Sequence, residues 1–349
     1  LVGNHTMTIE AGTVIKGSFA GTDVAALVIT RGSKINAQGT ATEPIVFTSA
    51  SPNPQSGDWG GLVLCGKAEI NTSFNGIAGL FQVEGGIDNA HGDGLAGSGD
   101  AVATVPVNDD NSGILSYVRI EYAGYAFQPD KEINSLTMAC VGSGTQIDHI
   151  QVTYAKDDAY EWFGGTVNAK FLIAYKTQDD DFDTDNGFSG KIQFGLVLRD
   201  SLIADISTSE AFESDNNSSG TTAQPKTSPI FSNITVLGPR ATSNNIGNSL
   251  FRAGAQIRRN SSLSIFNSII SGWPQGILID AGTGSSTALN IEDSSLRIRN
   301  VTFAGNTINL KFTGTGGATI TNDASLQTWA SNPFYNNDFL SSIAEAKLI

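Results

Sequence analysis

The stretch Thr8-Ile9-Glu10-Ala11-Gly12-Thr13-Val14-Ile15-Lys16 is answered 20 residues later by Val28-Ile29-Thr30-Arg31-Gly32-Ser33-Lys34-Ile35-Asn36. Ile9 aligns with Ile29, Gly12 with Gly32 and Ile15 with Ile35. A degenerate third copy runs Leu64-Cys65-Gly66-Lys67-Ala68-Glu69-Ile70-Asn71. Self-similarity at periods of about 20–50 residues marks a solenoid. Each copy alternates apolar and polar residues around a Gly, the pattern of a half-buried strand and its turn. One such unit cannot bury its apolar face alone, so the units must stack into a continuous core.

A second register lies nearer the other end. Asn233-Ile234-Thr235-Val236-Leu237-Gly238 matches Asn267-Ser268-Ile269-Ile270-Ser271-Gly272 and Asn300-Val301-Thr302-Phe303-Ala304-Gly305. The Asn recurs after 34 and then 33 residues, with Gly five positions later each time. An Asn repeated in register predicts a turn ladder of stacked amides, and the Gly suits a bend at positive φ. Unequal periods imply a constant core with loops inserted at its corners. The largest insertion spans 72–113, rich in Gly, Asp and Asn. Parallel stacking leaves an open strand edge at each end. The segment 324–349, with Trp329, Phe334, Phe339 and a helix-like run over 341–348, is expected to cover one of them. The fold class predicted is all-β: one right-handed parallel β-helix over 1–349 with corner insertions and a C-terminal cap.

Composition agrees. The chain has 39 Gly, only 15% of its residues are charged, and Thr, Ser, Asn, Val and Ile recur throughout. That is strand and turn chemistry, without the Ala, Leu, Glu and Lys density of stable helices. The formal net charge of −14 argues against nucleic acid and anionic membrane surfaces as partners. Convergent carboxylates would instead suit a divalent cation. No run approaches the ~20 apolar residues that span a bilayer. Cys65 and Cys140 each sit in apolar runs and read as small core residues. His5, His91 and His149 share no metal-ligand spacing, which argues against zinc. Beginning at Leu1 inside a strand-like pattern, the sequence reads as an ordered fragment whose targeting segment has been removed.

Several segments resemble a known group. They are Gly12-Thr13-Val14-Ile15-Lys16-Gly17, Leu27–Thr40, Pro44-Ile45-Val46-Phe47-Thr48-Ser49 and Asp58-Trp59-Gly60-Gly61-Leu62. Tyr117–Gly124, Glu161-Trp162-Phe163-Gly164-Gly165 and Asp179–Gly190 extend the match. Together they resemble the large secreted or surface-anchored β-helix proteins of Bacteroidetes-type bacteria, over most of the chain to about residue 240. The resemblance implies the fold and an extracellular or cell-surface location, and it brings no catalytic residues. More distantly the fold is similar to that of pectate lyases and polygalacturonases, whose active-site motifs are not found in the sequence.

Three further segments align without gaps, at offsets of 22 and 30 residues. They are Asp157-Asp158-Ala159-Tyr160-Glu161-Trp162-Phe163, Asp179-Asp180-Asp181-Phe182-Asp183-Thr184-Asp185 and Ser209-Glu210-Ala211-Phe212-Glu213-Ser214-Asp215. Tyr160, Phe182 and Phe212 then form a ladder that reads as core stacking. Asp158, Asp180 and Glu210 form one acidic row, Glu161, Asp183 and Glu213 a second, and Asp185 and Asp215 a shorter third. Coils repeat every ~4.8 Å. At that spacing two carboxylates repel by roughly 3 kcal/mol at an effective dielectric of about 20. Cations, protons, Lys and Arg neighbours or backbone N–H groups must offset the repulsion.

Three readings follow. The first is a Ca2+ site drawn from Asp158, Asp180, Asp181, Asp183, Asp185, Glu210, Glu213 and Asp215. Asp181–Gly187 follows the spacing of a calcium loop, but Ile192 stands where an EF-hand needs Glu, and the flanks read as β. The second is polysaccharide cleavage with Glu161, Asp183 and Glu213 as catalytic carboxylates. A separation of ~5 Å suits a retaining glycosidase and ~9.5 Å an inverting one. A lyase would draw a base from Lys156, Lys176 or Arg199. The third is an acidic corner whose carboxylates cap turn N–H groups. Trp162 discriminates, since exposed beside the acids it would serve, with Lys156, Lys176 and Arg199, as a sugar-binding surface. Trp59 and Trp273 read as packed corners. The expectation is a secreted or cell-surface protein that binds an extracellular polysaccharide or a surface protein without catalysis, with a structural Ca2+. The alternative is a glycosidase or lyase using the carboxylates of 157–215.

Overall fold

Alternation of apolar and polar residues builds two long parallel sheets that share one core. The computed structural model describes residues 1–349 apart from 20–23, 86, 88–90, 129–130, 241–246 and 349. Among the described residues one sheet holds nine strands, from Leu27–Ile29 through Leu62–Cys65, Leu136–Ala139, Tyr160–Phe163, Phe182–Asp185, Phe212–Ser214, Ala253–Arg258 and Gln275–Ala281 to Ile308–Gly314. The other holds fourteen, and its longest members are Gly113–Glu121, Gln146–Thr153, Asn168–Tyr175, Lys191–Leu198 and Ile230–Leu237. Successive coils pair in parallel, so the molecule is a parallel β-helix.

The long strands bend halfway. Tyr117, His149, Phe171, Phe194 and Asn233 each have φ between 51° and 65° in mid-strand. The buried positions register the bend: Leu115, then Val118 and Ile120; Ile147, then Ile150 and Val152. The alternation skips one residue, which turns a straight strand into two arms of the coil with both inner faces apolar. Inside, Tyr160, Phe182 and Phe212 stack at 5.5 and 5.3 Å between ring centroids, all fully buried. This is the core ladder that the alignment predicts.

The 20-residue period is not the coil period. Ile9 pairs with Ala37 and Ile29 with Leu64, so the two equivalent isoleucines lie in different sheets. Successive arms of one coil use the same grammar of alternation and Gly turn. Sequence similarity therefore cannot separate a neighbour along the chain from a neighbour along the axis. The third copy does stack, since its Leu64 sits on Ile29. The Asn register is a true coil period: Thr235 pairs with Ile269, and Ile269 with Thr302. Asn300 donates to Asn267 at 3.1 Å, and Asn336, one coil further on, donates to Asn300 at 3.0 Å. The Asn residues occupy the left-handed bend themselves, with φ from 50° to 60°.

Within 72–113 the described residues form two small antiparallel pairs, Ser73–Phe74 with Ile77–Ala78 and Leu80–Gln82 with Leu95–Gly97. Residues 86 and 88–90 of this insertion lie outside the described ones. Arg31 grips it through both oxygens of Asp100, at 3.0 and 2.7 Å. Beneath it Cys65 and Cys140 are buried thiols in a small core with Val63, Ala96 and Phe163, and burial pushes the Cys65 thiol up to about 12. At the other end the helix Asp323–Ala330, capped by Asn322, buries Leu326 and Ala330 in the main core. Strand Asp338–Leu340 pairs with Thr302–Ala304. The helix expected over 341–348 is only a 3-10 turn, Ile343–Ala346, stopped by Lys347 in left-handed backbone.

Phe182 lies at the middle of the inner ladder, so Phe182→Ala is expected to cost about 3–5 kcal/mol of stability. Urea unfolding checks this, and a cost below about 1 kcal/mol would contradict a closely packed ladder.

Candidate functional site

The acidic segments lie on the smaller sheet in the predicted register. Tyr160, Phe182 and Phe212 pair in line, as do Glu161, Asp183 and Glu213. Because the rings face inward, the acids that follow them in the strands, Glu161, Asp183 and Glu213, face outward. The acidic rows are not fully exposed: Asp158, Glu161, Asp180 and Glu210 are buried and Asp183 is half-buried.

The first row is a chain of caps. Asn134 accepts the N–H of Asp158 at 3.1 Å, Asp158 accepts that of Asp180 at 2.9 Å, and Asp180 accepts that of Glu210 at 2.6 Å. Each side chain thus ties down the backbone of the next coil. In the second row Glu161 accepts the side-chain amide of Asn134. Among the described residues no hydrogen-bond donor meets Asp183. Ligand atoms of Asp158, Glu161 and Asp183 all lie within 4.8 Å of one another, as do those of Asp180, Glu210 and Glu213, and of Asp157, Asp158 and Asp179. Each group could hold a metal ion.

Arginines close one end. Arg258 pairs with Glu213 and, at 2.9 Å, with Asp215; Arg259 reaches Asp215 at 2.6 Å and Arg252 reaches Glu210 at 3.5 Å. The triad Asp180–Glu210–Glu213 therefore has cationic neighbours. Among the described residues no Lys or Arg forms an ion pair with Asp158, Glu161 or Asp183. Burial, and then Asp183, holds Glu161 well above the usual carboxylate range. Burial with Asp157 does the same to Asp158, and burial with Glu213 to Asp183. Burial raises Glu210 to about 8, against the pull of Arg252, and Glu213 to about 7, against that of Arg258.

The family model of a pectate-lyase-like β-helix domain matches residues 1–338. The chain belongs to that family. No curated protein matches it. Among solved structures the alginate lyase from Paenibacillus sp. str. FPU-7 is similar, with 10% identity over 89% of this chain and 95% of that chain. Its TM-score is 0.31, a likeness that carries no argument about the site.

The other candidates in this pectate-lyase-like β-helix fall elsewhere. Trp162 is 0% exposed, stacked on Phe188 at 5.3 Å, so it offers no surface to a sugar. Its place in the alternation, two residues after Tyr160, turns it inward. Asp181 and Arg199 also belong to the interior, paired at 2.8 Å with both side chains fully buried. Arg199 further donates to the carbonyls of Thr177, Asp179 and Glu210 and lies over the rings of Phe251 and Trp273. It is a structural cation, unavailable as a base, and Asp181 is in none of the triads that could hold a metal. Lys176 pairs with Asp200 at 3.1 Å and lies over Tyr154 and Tyr175. Lys156 is exposed, its stem crossing Gly57, where a Cβ would collide with it. Asp185 and Asp215 stack as the third row beside the arginines. Trp59 and Trp273 are buried as expected. Asn134 and the three arginines lie outside the gapless alignment, whereas Asp157 and Asp179 head two of its segments but fall in none of the acidic rows read from it.

Two outcomes test this arrangement. The raised acids hold protons in the folded chain at pH values where free Asp and Glu, near 3.8 and 4.5, have lost them. Folding therefore takes up protons, and stability falls as pH rises from about 5 to about 8. In chelator the melting temperature should be lower at about pH 8 than at about pH 5.5; a rise would contradict the buried cluster. Separately, Arg199→Leu leaves Asp181 uncompensated and is expected to cost about 3–5 kcal/mol, much of it recovered in the double variant with Asp181→Leu. A double variant no more stable than the single one would refute the pairing as the cause.

Proposed function

We propose that this chain is a secreted or cell-surface β-helix protein in which Asp158, Glu161 and Asp183 hold a divalent cation, and which binds an extracellular polysaccharide or a surface protein without cleaving it. The triad carries the reading: three carboxylates within 4.8 Å, two of them buried, with no cationic side chain paired to them among the described residues. An all-oxygen donor set on a rigid sheet suits Ca2+. The ion would replace the protons that the cluster otherwise retains. Binding without cleavage is supported by buried Trp162, by Arg199 engaged in the core, and by a first acidic row engaged in capping. The extracellular placement rests on the family resemblance.

One observation favours the second reading, cleavage of an acidic polysaccharide. Arg258 sits against Glu213 and Asp215 and raises the electrostatic potential at Asp183, which sets a cation beside carboxylates of adjacent coils.

Added Ca2+ is expected to raise the melting temperature at about pH 8 in the wild type and to leave Asp183→Asn unmoved. No turnover of polyuronates or neutral glycans is expected with Ca2+ or EDTA. An unchanged melting temperature would sink the cation site. Turnover abolished by Glu161→Gln or Asp183→Asn would establish the enzyme instead.

A further inference from the structure

Asn followed by Gly occurs twice in the sequence, at Asn75-Gly76 in the large insertion and at Asn186-Gly187 beside the acidic column. Both pairs adopt the same left-handed turn, with φ of 50° and 78° at the first and 55° and 94° at the second. In such a pair the backbone nitrogen of the Gly can close a five-membered ring on the side-chain carbonyl carbon of the Asn. Gly sets no Cβ in the way of that closure and leaves its backbone free to rotate into it. The two pairs share a dipeptide and a backbone conformation, so what separates them is how firmly each is held.

Asn186 is held on every side. Its side-chain amide donates to Asp185 at 2.9 Å, and its carbonyl accepts the N–H of Asn71 at 2.9 Å. The Gly187 N–H donates to Thr227 at 2.7 Å, and Gly187 packs against the carbonyl of Pro225. Asn75 and Gly76 are exposed at the tip of the hairpin 73–78. Among the described residues neither the Asn75 amide nor the Gly76 N–H forms a hydrogen bond. A Cβ on Gly76 would meet nothing within 4 Å. Two residue pairs close this hairpin, Ser73 with Ala78 and Phe74 with Ile77. So short a ribbon is marginal by itself and opens at low cost. Its base is fixed, since Gly79 donates to the Thr72 carbonyl at 2.9 Å. The Asn71 side chain also donates to the carbonyls of Asn216 and Pro225, at 2.8 and 2.9 Å. Opening is thus confined to the turn that carries the reactive pair.

We propose that Asn75 is a site of spontaneous modification, converted through a succinimide to aspartate and isoaspartate. The Gly76 nitrogen, once deprotonated, attacks the side-chain carbonyl carbon of Asn75. A new C–N bond closes the ring, the bond from that carbon to Nδ2 breaks, and ammonia leaves. Water then adds to either ring carbonyl and opens it to a carboxylate, so the balance needs water alone. The isoaspartyl product carries the chain through the former side chain, and both products add a negative charge to the insertion. Each copy of the protein is thereby marked by its age. The test is incubation of the full chain at mildly alkaline pH, then peptide mass mapping and methylation by an isoaspartyl methyltransferase with S-adenosylmethionine. The Asn75 peptide should gain the mass of an amide-to-acid conversion and accept methyl groups. The Asn186 peptide should convert about tenfold more slowly or less, since it reacts only after a costlier opening. The rate at Asn75 should rise with pH, because the attacking nitrogen must lose its proton. Gly76→Ala, for which the fold has room, should slow conversion several-fold by crowding the ring closure, with the melting temperature of the β-helix little changed. An unconverted Asn75, conversion of Asn186 at an equal rate, or a rate unmoved by Gly76→Ala would each overturn the proposal.

Discussion

Parallel coiling sets each side chain about 4.8 Å above its counterpart, so like meets like along the whole length of the molecule. For flat rings and amides that interval is close to ideal contact. Inner rings fill the core, amides chain the Asn corner, and outer rings line the same corner in earlier coils. For carboxylates the same interval is repulsive. The acidic rows persist because some of their carboxylates cap backbone N–H groups, some meet arginine, and burial holds the others well above the usual carboxylate range.

The core ion pair shows how the column is held from behind. Asp181 occupies an inward position that Ala159 and Ala211 take in the adjacent coils. A lone buried carboxylate there would be strongly unfavourable, and Arg199 answers it. The guanidinium also binds the carbonyls of Asp179, which precedes a member of the first acidic row, and of Glu210, the last member of that row. Its flat faces lie against Phe251 and Trp273 from later coils. One buried cation thus couples the backbone under the acids to the packing of the coils that follow.

Much of this was legible in the sequence, for a physical reason. Where coils stack without insertions, offsets are short and gapless, so Tyr160, Phe182 and Phe212 declare their register and carry the acids with them. Arg252, Arg258 and Arg259 stayed hidden because a long segment separates Glu213 from its partner Gln256, and no alignment bridges it. The 20-residue similarity misled because neighbouring arms of a coil share one grammar. The fate of Trp162 followed from the same alternation that placed Tyr160 inward, and the acids beside it drew attention away from that. The outer rings did leave a signal. Between Leu115 and Val118, and between Ile147 and Ile150, apolar spacing lengthens from two residues to three, and the skipped corner is where a ring stands.

The arginine end of the acidic column bears on how such a chain can grow. At the Asn corner each coil brings both a donor and an acceptor, so an added copy joins the ladder on the same terms as its neighbours. Duplication there is electrostatically neutral. The acidic stretch is different, since another coil of the same kind would add carboxylates beyond the reach of Arg252, Arg258 and Arg259. Such a coil would have to hold its carboxylates as Asp158 and Glu161 are held, on hydrogen bonds and by burial alone, so the length of the stretch is limited by how much unpaired carboxylate the fold can carry. Lineages of this fold should therefore vary freely in the number of amide-cornered coils while keeping a near-constant count of acidic ones.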